Sequence, residues 1–309
     1  MKTKWTHLDA AESAFFEREL EHVYSRTYDI RYPNLRAREF VPVSNEAGAG
    51  ALTVTYRQFD QFGRAKVISH NAKDLPRVDI SGKEFPRPIR EVGDAYAWNL
   101  KELRSAMMAG RPLNDRRAST ARRAIEELLD YIACFGSPDH GIADGFLNNA
   151  AITPEAASDS WADYVAADTK NLIVAEVSDA IQRIVDGTNG IFMPTTVLIP
   201  IAQHALIATT PFGDNSDKTI LDFMLANFAR AYPGFSIEPW YRCKTAGAAG
   251  VTRMVTYARS PEVVQQEIAN EFEQLPVQEQ GLEFVVNCWA STGGTAIYYP
   301  GAVDYVDGI

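Results

Sequence analysis

Between Gly63 and Arg90 the chain has hardly anything to bury, and this constrains its fold more than any motif does. Basic side chains (Arg64, Lys66, Lys73, Arg77, Lys83, Arg87 and Arg90) share the stretch with Pro76, Pro86 and Pro88. Loops of more than about 12–15 residues without structure of their own are uncommon, and are functional or mobile when they occur. The flanks, however, read as strand. Leu52, Val54 and Tyr56 alternate with Thr53, Thr55 and Arg57, and Val78-Asp79-Ile80 resumes the alternation on the far side. We therefore expect a hairpin that projects from the body, with a surface covered by something other than its own domain.

Charge sharpens the picture. The stretch 57–90 holds 8 basic and 4 acidic residues, whereas the whole 309-residue chain has a formal charge of −10. Residues 1–133 carry +3 and residues 134–309 carry −13. A general binder of nucleic acid or anionic membrane needs a positive field, so both classes are disfavoured. With 46% hydrophobic and 23% charged residues, wholesale disorder is excluded as well. Cys134, Cys243 and Cys288 lie far apart with no C-x-x-C pair, which argues against a metal site or a disulfide scaffold and suits a reducing compartment. The opening Met1–Asp9 turns acidic before any apolar run, so no signal peptide is expected. The greasiest segment, 191–207, is broken by Pro194, Pro200 and His204, so no membrane span is expected either.

Residues 1–50 read as an arm, with a short helical pattern (Ala14, Phe15, Leu20, Val23, Tyr24), an extended segment at Pro33 and a flexible joint at Glu46–Gly50. Asn99 caps a helix with Leu100, Leu103 and Met107 inward, ending at Gly110 and Pro112. Asp115 caps a second, with Ala118, Ala121, Ile125, Leu128 and Ile132 on its inner face and Gly136 and Pro138 as its stop. Further on we expect a helix near 168–185 (Ile173, Val177, Ile181 and Ile184 inward) and a buried strand within 191–201. A helix over 219–231 should start at Asp217, with strands at 235–242 and 251–257. Glu262–Phe272 is helical by composition. Leu282–Trp289, Ser291-Thr292-Gly293-Gly294 and Thr295–Tyr299 read as a hairpin. The mixture is α+β, without βα alternation.

Catalytic constellations do not emerge. His140 near Asp139 and Asp144 is the nearest approach, but its Gly/Pro-flanked context favours turn formation. His7, His22, His70 and His204 have no ligand-spaced neighbours, and no G-x-S-x-G, H-E-x-x-H, Walker or Rossmann motif occurs. Glu126-Glu127 and Glu271/Glu273 read as solvated surface charge, and the tryptophans and tyrosines are not interleaved with a basic stripe. No catalytic, metal or cofactor residue is assigned, and the chain is read as a non-enzyme.

Several segments, in order, carry a family resemblance: Asn71–Ile80 on the extended loop, Tyr96–Arg104 opening a helical spine, Ala118–Gly136 continuing it, and Gly141–Asn148. They are followed by Ser260–Val263, Gln280–Val286, Thr292–Thr295, Tyr299–Ala302 and Tyr305–Ile309. Together they resemble the major capsid proteins of tailed bacteriophages, with the Hong Kong-97 coat fold. The resemblance implies an N-terminal arm (1–50), an extended E-loop (51–95), a spine helix and P-domain (96–150), a mainly A-domain region (151–255) and a returning C-terminal segment (256–309). The family would make the first part of 262–272 a strand, and Gly110 and Pro112 break the spine into two helices, a departure from the family's single spine.

The implied function is a structural one. The subunit would self-assemble as hexamers and pentamers into an icosahedral head, enclosing double-stranded DNA without sequence-specific binding. Scaffolding, portal or decoration proteins would be its partners, and it would be made in the host bacterial cytoplasm and end in the virion. Loop residues Arg64, Lys66, Lys73, Arg77, Lys83, Arg87 and Arg90 would face neighbouring subunits. Some family members crosslink a loop lysine to an asparagine. Lys66, Lys73 and Lys83 on the loop and Asn270 and Asn287 in the terminal segment are the residues of that type here, but no motif pairs them. An encapsulin-like cargo compartment on the same fold, or a hydrolase or lyase with a polar cleft, are the competing readings.

Overall fold

The computed structural model describes residues 31–63, 65–67, 77–110, 114–213 and 217–309. The helical pattern at 14–24, Arg64 and Lys73 lie outside them. The chain divides into two units, Met1–Asn34 and Leu35–Ile309; all that follows concerns the second.

In chain order its elements are α1 (Ala37–Phe40), β1 (Val43–Ser44), β2 (Thr53–Phe62), β3 (Asp79–Pro88), β4 (Arg90–Asn99), α2 (Leu100–Ala109) and α3 (Asn114–Phe135). Next come β5 (Glu155–Ala156), α4 (Trp161–Ala166), α5 (Asn171–Gly187), β6 (Thr196–Ile199), α6 (Ile201–Thr209) and α7 (Ile220–Ala231). The chain finishes with β7 (Ser236–Pro239), β8 (Arg253–Tyr257), β9 (Val264–Gln274), β10 (Gln278–Gln280), β11 (Glu283–Ile297) and β12 (Val303–Asp307).

Two sheets organise the body. In the first, the order is β1-β9-β11-β10, with β4 antiparallel to β11 from Asn99↔Glu283 to Arg90↔Thr292. Helix α3 lies across it, burying Ala121, Ile125, Leu129 and Ile132 against Val92, Trp98, Val286, Cys288 and Ala290. The sequence placed Leu128 on that face, but it is 44% exposed and Leu129 is buried in its place. Leu129 belongs to the cluster that α3 makes with β4 and β11, while the segment 37–41 packs further along the helix with Ala133 and Cys134.

The second sheet has the order β5-β12-β8-β6-β7. Helices α4 to α7 pack on it around Trp161, Ile173, Val177, Ile181, Ile207 and Met224. A third cluster, including Phe146, Leu147, Trp240, Tyr257, Val263 and Tyr305, joins the two sheets.

Asp130 ties these parts together. Its buried carboxylate accepts from the Ala37 amide (3.0 Å) and from Arg242 Nε and Nη2 (3.1 and 2.9 Å). It therefore fixes α1, α3 and the 3-10 turn Tyr241–Thr245 of the second lobe to one another. Residues 37–44, read from sequence as part of the arm, belong to this body. Tyr257 Oη donates to the Phe40 carbonyl, and β1 runs parallel to β9.

Several elements differ from the sequence reading. Residues 262–272 are not helical: β9 is a strand whose Val264, Gln266 and Ile268 are buried, because pairing with β1 and β11 overrides local propensity. The tail is not a hairpin either. β11 runs straight through Ser291–Gly294 as a bulge, in which Thr292 Oγ1 donates to the Glu267 carbonyl and accepts from the Gly294 amide. Gly294 has φ +74°, and a Cβ there would lie 2.7 Å from Ile142 Cγ2.

Helix α3 begins at Asn114, so Asp115 lies inside it, and α7 is capped by Thr219, not Asp217. Strand β4 occupies 90–99, so the segment read as the start of the spine at Tyr96 is strand up to Asn99. Asn99 caps α2 in a reciprocal box with Glu102, and α2 ends at Ala109 with Gly110 as its left-handed cap. Helices α4 and α6 were not read from the sequence.

Candidate inter-subunit surface

Strands β2 and β3 form a sheet of their own, in register from Thr53↔Pro88 to Phe62↔Asp79. At the root this hairpin touches the body. The Tyr56 ring stacks on Phe85 (4.9 Å) and meets Tyr298 edge-on (4.9 Å). Arg87 pairs with Asp144 at 3.0 Å and donates to the Thr295 carbonyl, while Arg90 donates to the His140 carbonyl. The Ile89 amide closes on the Leu52 carbonyl. Tyr298 Oη lies 3.1 Å from Glu267 Oε1 and 3.0 Å from Gln265 Oε1, and burial followed by the Glu267 charge pushes this phenol well up.

Beyond the root the hairpin has no core. Every β2 residue from Arg57 to Phe62 is exposed, as is every β3 residue from Asp79 to Glu84. Its apolar side chains stand in solvent: Phe59 63%, Phe62 73%, Val78 72% and Ile80 61% exposed. Phe59 and Ile80 share one face, because pairing sets Phe59 opposite Gly82, next to Ile80 opposite Gln61. The Phe59 ring lies over Gly82, where a Cβ would come within 2.9 Å of it. Arg57 and Glu84 pair across the strands at 2.8 Å, an exposed contact of little energetic weight. A lone two-stranded ribbon is at best marginal in water.

A second exposed apolar area lies on α2, none of whose residues is buried. Leu103 packs half-buried against the cluster of α3 and the first sheet, but Met107 is 76% exposed, so the inward face expected from Leu100, Leu103 and Met107 stops short of Met107. Met108, at 95%, and Leu282, at 67%, line a shallow groove with Leu100, Lys101 and Arg104.

Of the basic loop residues singled out from sequence, Lys66, Arg77 and Lys83 are exposed, with Lys83 over the Phe85 ring. Arg87 and Arg90 differ: both are engaged by the chain's own body, because their strand register puts them at the root. The exposed apolar residues were not singled out. Their only sequence signal is alternation within a polar stretch. His140 forms no catalytic pairing with Asp144. Its Nδ1 is 2.8 Å from Ser137 Oγ, and Asp144 holds Arg87. The three cysteines are buried, and burial pushes the Cys134 and Cys243 thiols well up. Among the described residues no cluster of His, Cys, Asp or Glu could hold a metal, and no helix is long and apolar enough to cross a membrane.

A two-sheet α+β body with a split spine helix, from which a coreless hairpin reaches out, defines a coat-building subunit of the Hong Kong-97 type fold. The fold is shared with the capsid of Myoviridae phage XM1 (TM-score 0.81, 19% identity, 96% of this chain and 99% of that chain). It also occurs in the capsid of a native GTA particle (0.62, 10%, 94% and 96%) and in a virus-like particle from Pyrococcus furiosus (0.54, 14%, 87% and 91%). No curated protein sequence is significantly similar. The chain belongs to the major capsid protein family, whose model matches residues 63–309, and it is a structural capsid subunit.

Proposed function

We propose that the subunit builds an icosahedral tailed-phage head from hexamers and pentamers, enclosing double-stranded DNA without reading its sequence. The observation that carries this reading is the hairpin's outer half, whose described apolar residues Phe59, Phe62, Val78 and Ile80 are exposed. In a closed shell each copy meets its neighbours through heterologous contacts, so a surface left open in one subunit is covered by the next. In this reading the arm, expected over 1–50, gives up residues 37–44 to the body, and the E-loop, expected over 51–95, ends at 89 because β4 begins at Arg90. The P-domain is the first sheet with α2 and α3, and the A-domain is the second sheet with α4 to α7. Lys66, Arg77 and Lys83, with Arg64 and Lys73, then face the acidic 134–309 region of a neighbour. Scaffolding, portal and decoration proteins complete the particle, which is made in the bacterial cytoplasm and released as virion.

Electron microscopy of the expressed protein or its source particle tests the proposal. The expected result is a closed shell with Phe59 and Ile80 seated on an adjacent copy, and with nucleic acid as the content. A small discrete oligomer with the hairpin folded onto its own subunit refutes it, and a protein cargo in place of DNA replaces the phage head with a cellular compartment. Assembly that is indifferent to ionic strength removes charge pairing as a term.

A further inference from the structure

We infer that Arg87 and Asp144 are positioning residues: their ion pair, clamped over a glycine-lined seat, sets the direction in which the hairpin leaves the body. The described strand residues of the outer half, 57–62 and 79–84, are all exposed, so the root is where the body can hold the hairpin. The restraints at the root form a compact set. Arg87 is the last charged residue of β3, and its guanidinium bridges two separate parts of the body. It meets the Asp144 carboxylate, in the connection after α3, and the Thr295 carbonyl, on β11. Both side chains of the pair are largely shielded, at 18% and 20% exposed. Asp144 is itself held from behind, its other oxygen facing the Ala150 amide at 3.4 Å.

Two glycines border the seat. A Cβ at Gly293 would lie 3.8 Å from the Pro88 carbonyl, and one at Gly141 would meet Pro88 Cγ at 3.6 Å and Arg90 Nη2 at 3.2 Å. Pro86 and Pro88 fix φ on both sides of Arg87, so the strand leaves the seat stiffly. Beside this clamp lies a cleft of about 420 Å³, lined by Tyr56, Gln58, Arg87, Asp144, Asn149 and Tyr298 among others. The direction of a lever with ten residues per arm depends on its fulcrum. An arginine suits that position, because its planar fork can address a carboxylate and a carbonyl together where a lysine ammonium is a point charge. A small angular error at the root is magnified at Phe59 and Ile80. In the capsid reading, on which the functional meaning of this clamp rests, those residues must land on a neighbour.

The test uses unassembled full-length subunits at low concentration, so that it does not depend on whether a shell forms. Spin labels at Gln61 on β2 and Glu127 on α3 report the hairpin-to-body distance distribution. The wild-type distribution is expected to be narrow. Arg87→Asp and Asp144→Arg, each placing like charges together, are expected to broaden it at least twofold. The combined charge reversal is expected to be narrower than either single variant, and Arg87→Lys intermediate. A width unchanged in the single variants, or a combined variant as broad as the worse single one, overturns the inference. Loss of folding is read separately by circular dichroism, and Arg87→Gln, which keeps a donor without charge, supplies a milder variant with the same expected broadening. Failure of the reading that Phe59 and Ile80 land on a neighbour shows elsewhere, in variants of these two residues that still assemble as wild type.

Discussion

Replacing Phe59 and Ile80 together by serine separates folding from assembly. In the isolated subunit these side chains are 63% and 61% exposed, so their removal takes little from the body. Surface changes of this kind usually alter stability by no more than about 0.5 kcal/mol. Assembly is another matter. Fully burying a large apolar side chain is worth about 1.5–3 kcal/mol. The roughly 60% still open on each of the two residues thus represents about 1–2 kcal/mol, or about 2–4 kcal/mol for the pair. At about 1.4 kcal/mol per tenfold, each contact weakens by roughly 30- to several-hundred-fold. Because a ring repeats the contact in every copy, the losses compound. The assay is twofold: urea denaturation of dilute subunits, and light scattering with electron microscopy for shells. We expect an unchanged denaturation midpoint together with loss of closed particles at the concentration where wild type assembles. A midpoint shift equivalent to 2 kcal/mol or more, with normal shells, would refute the reasoning, since it would place these residues in the subunit's own core.

Two further outcomes concern the body. Asp130→Asn leaves the Arg242 guanidinium without its counter-charge in a site where only 15% of that side chain is exposed. Breaking such a pair costs about 3–5 kcal/mol, whereas Asp130→Leu with Arg242→Met should recover much of it in the same denaturation assay. Alkaline pH should also erode stability. Burial raises the Cys134 and Cys243 thiols and the Tyr257 and Tyr305 phenols in the folded chain. The unfolded chain therefore releases these protons first, and stability is intact below the ordinary thiol range and falls as pH climbs through it. The slope is about 1.4 kcal/mol per pH unit for each group. Denaturation curves from pH 7 to 10 for wild type and Cys243→Ala check this, the variant being expected to show the shallower decline.

Helix α5 was legible because Ile173, Val177, Ile181 and Ile184 repeat at helical spacing and all four are buried. The end of α2 was legible because Gly110 is a local stop signal, and it takes the left-handed conformation that closes the helix. Strand β9 was not, since its run of Gln, Glu and Ala favours helix, and only its two flanking strands hold it extended. The Ser291–Gly294 bulge was misread for a related reason. Two adjacent glycines signal a turn locally, but the Thr292 and Thr295 hydroxyls bond the Glu267 and Ala133 carbonyls and keep the strand running.

The hairpin was legible through a deficit, since proline, charge and scarce apolar residues exclude a core. That same deficit hid which residues matter. Composition could single out lysines and arginines as a class, but register alone separates Arg87 and Arg90, clamped at the root, from Lys83, on the open arm. Register also gathers Phe59 and Ile80, remote in sequence, onto one exposed face. The basic side chains and the apolar face therefore have different tasks. In the proposed assembly the exposed charges would attract an acidic neighbour over a Debye length of about 10 Å at 0.1 M salt, and would release it as salt rises. Apolar contact acts only after docking, and salt does not weaken it. Growth of shells should therefore slow with ionic strength, while shells once closed should persist at salt concentrations that prevent their formation.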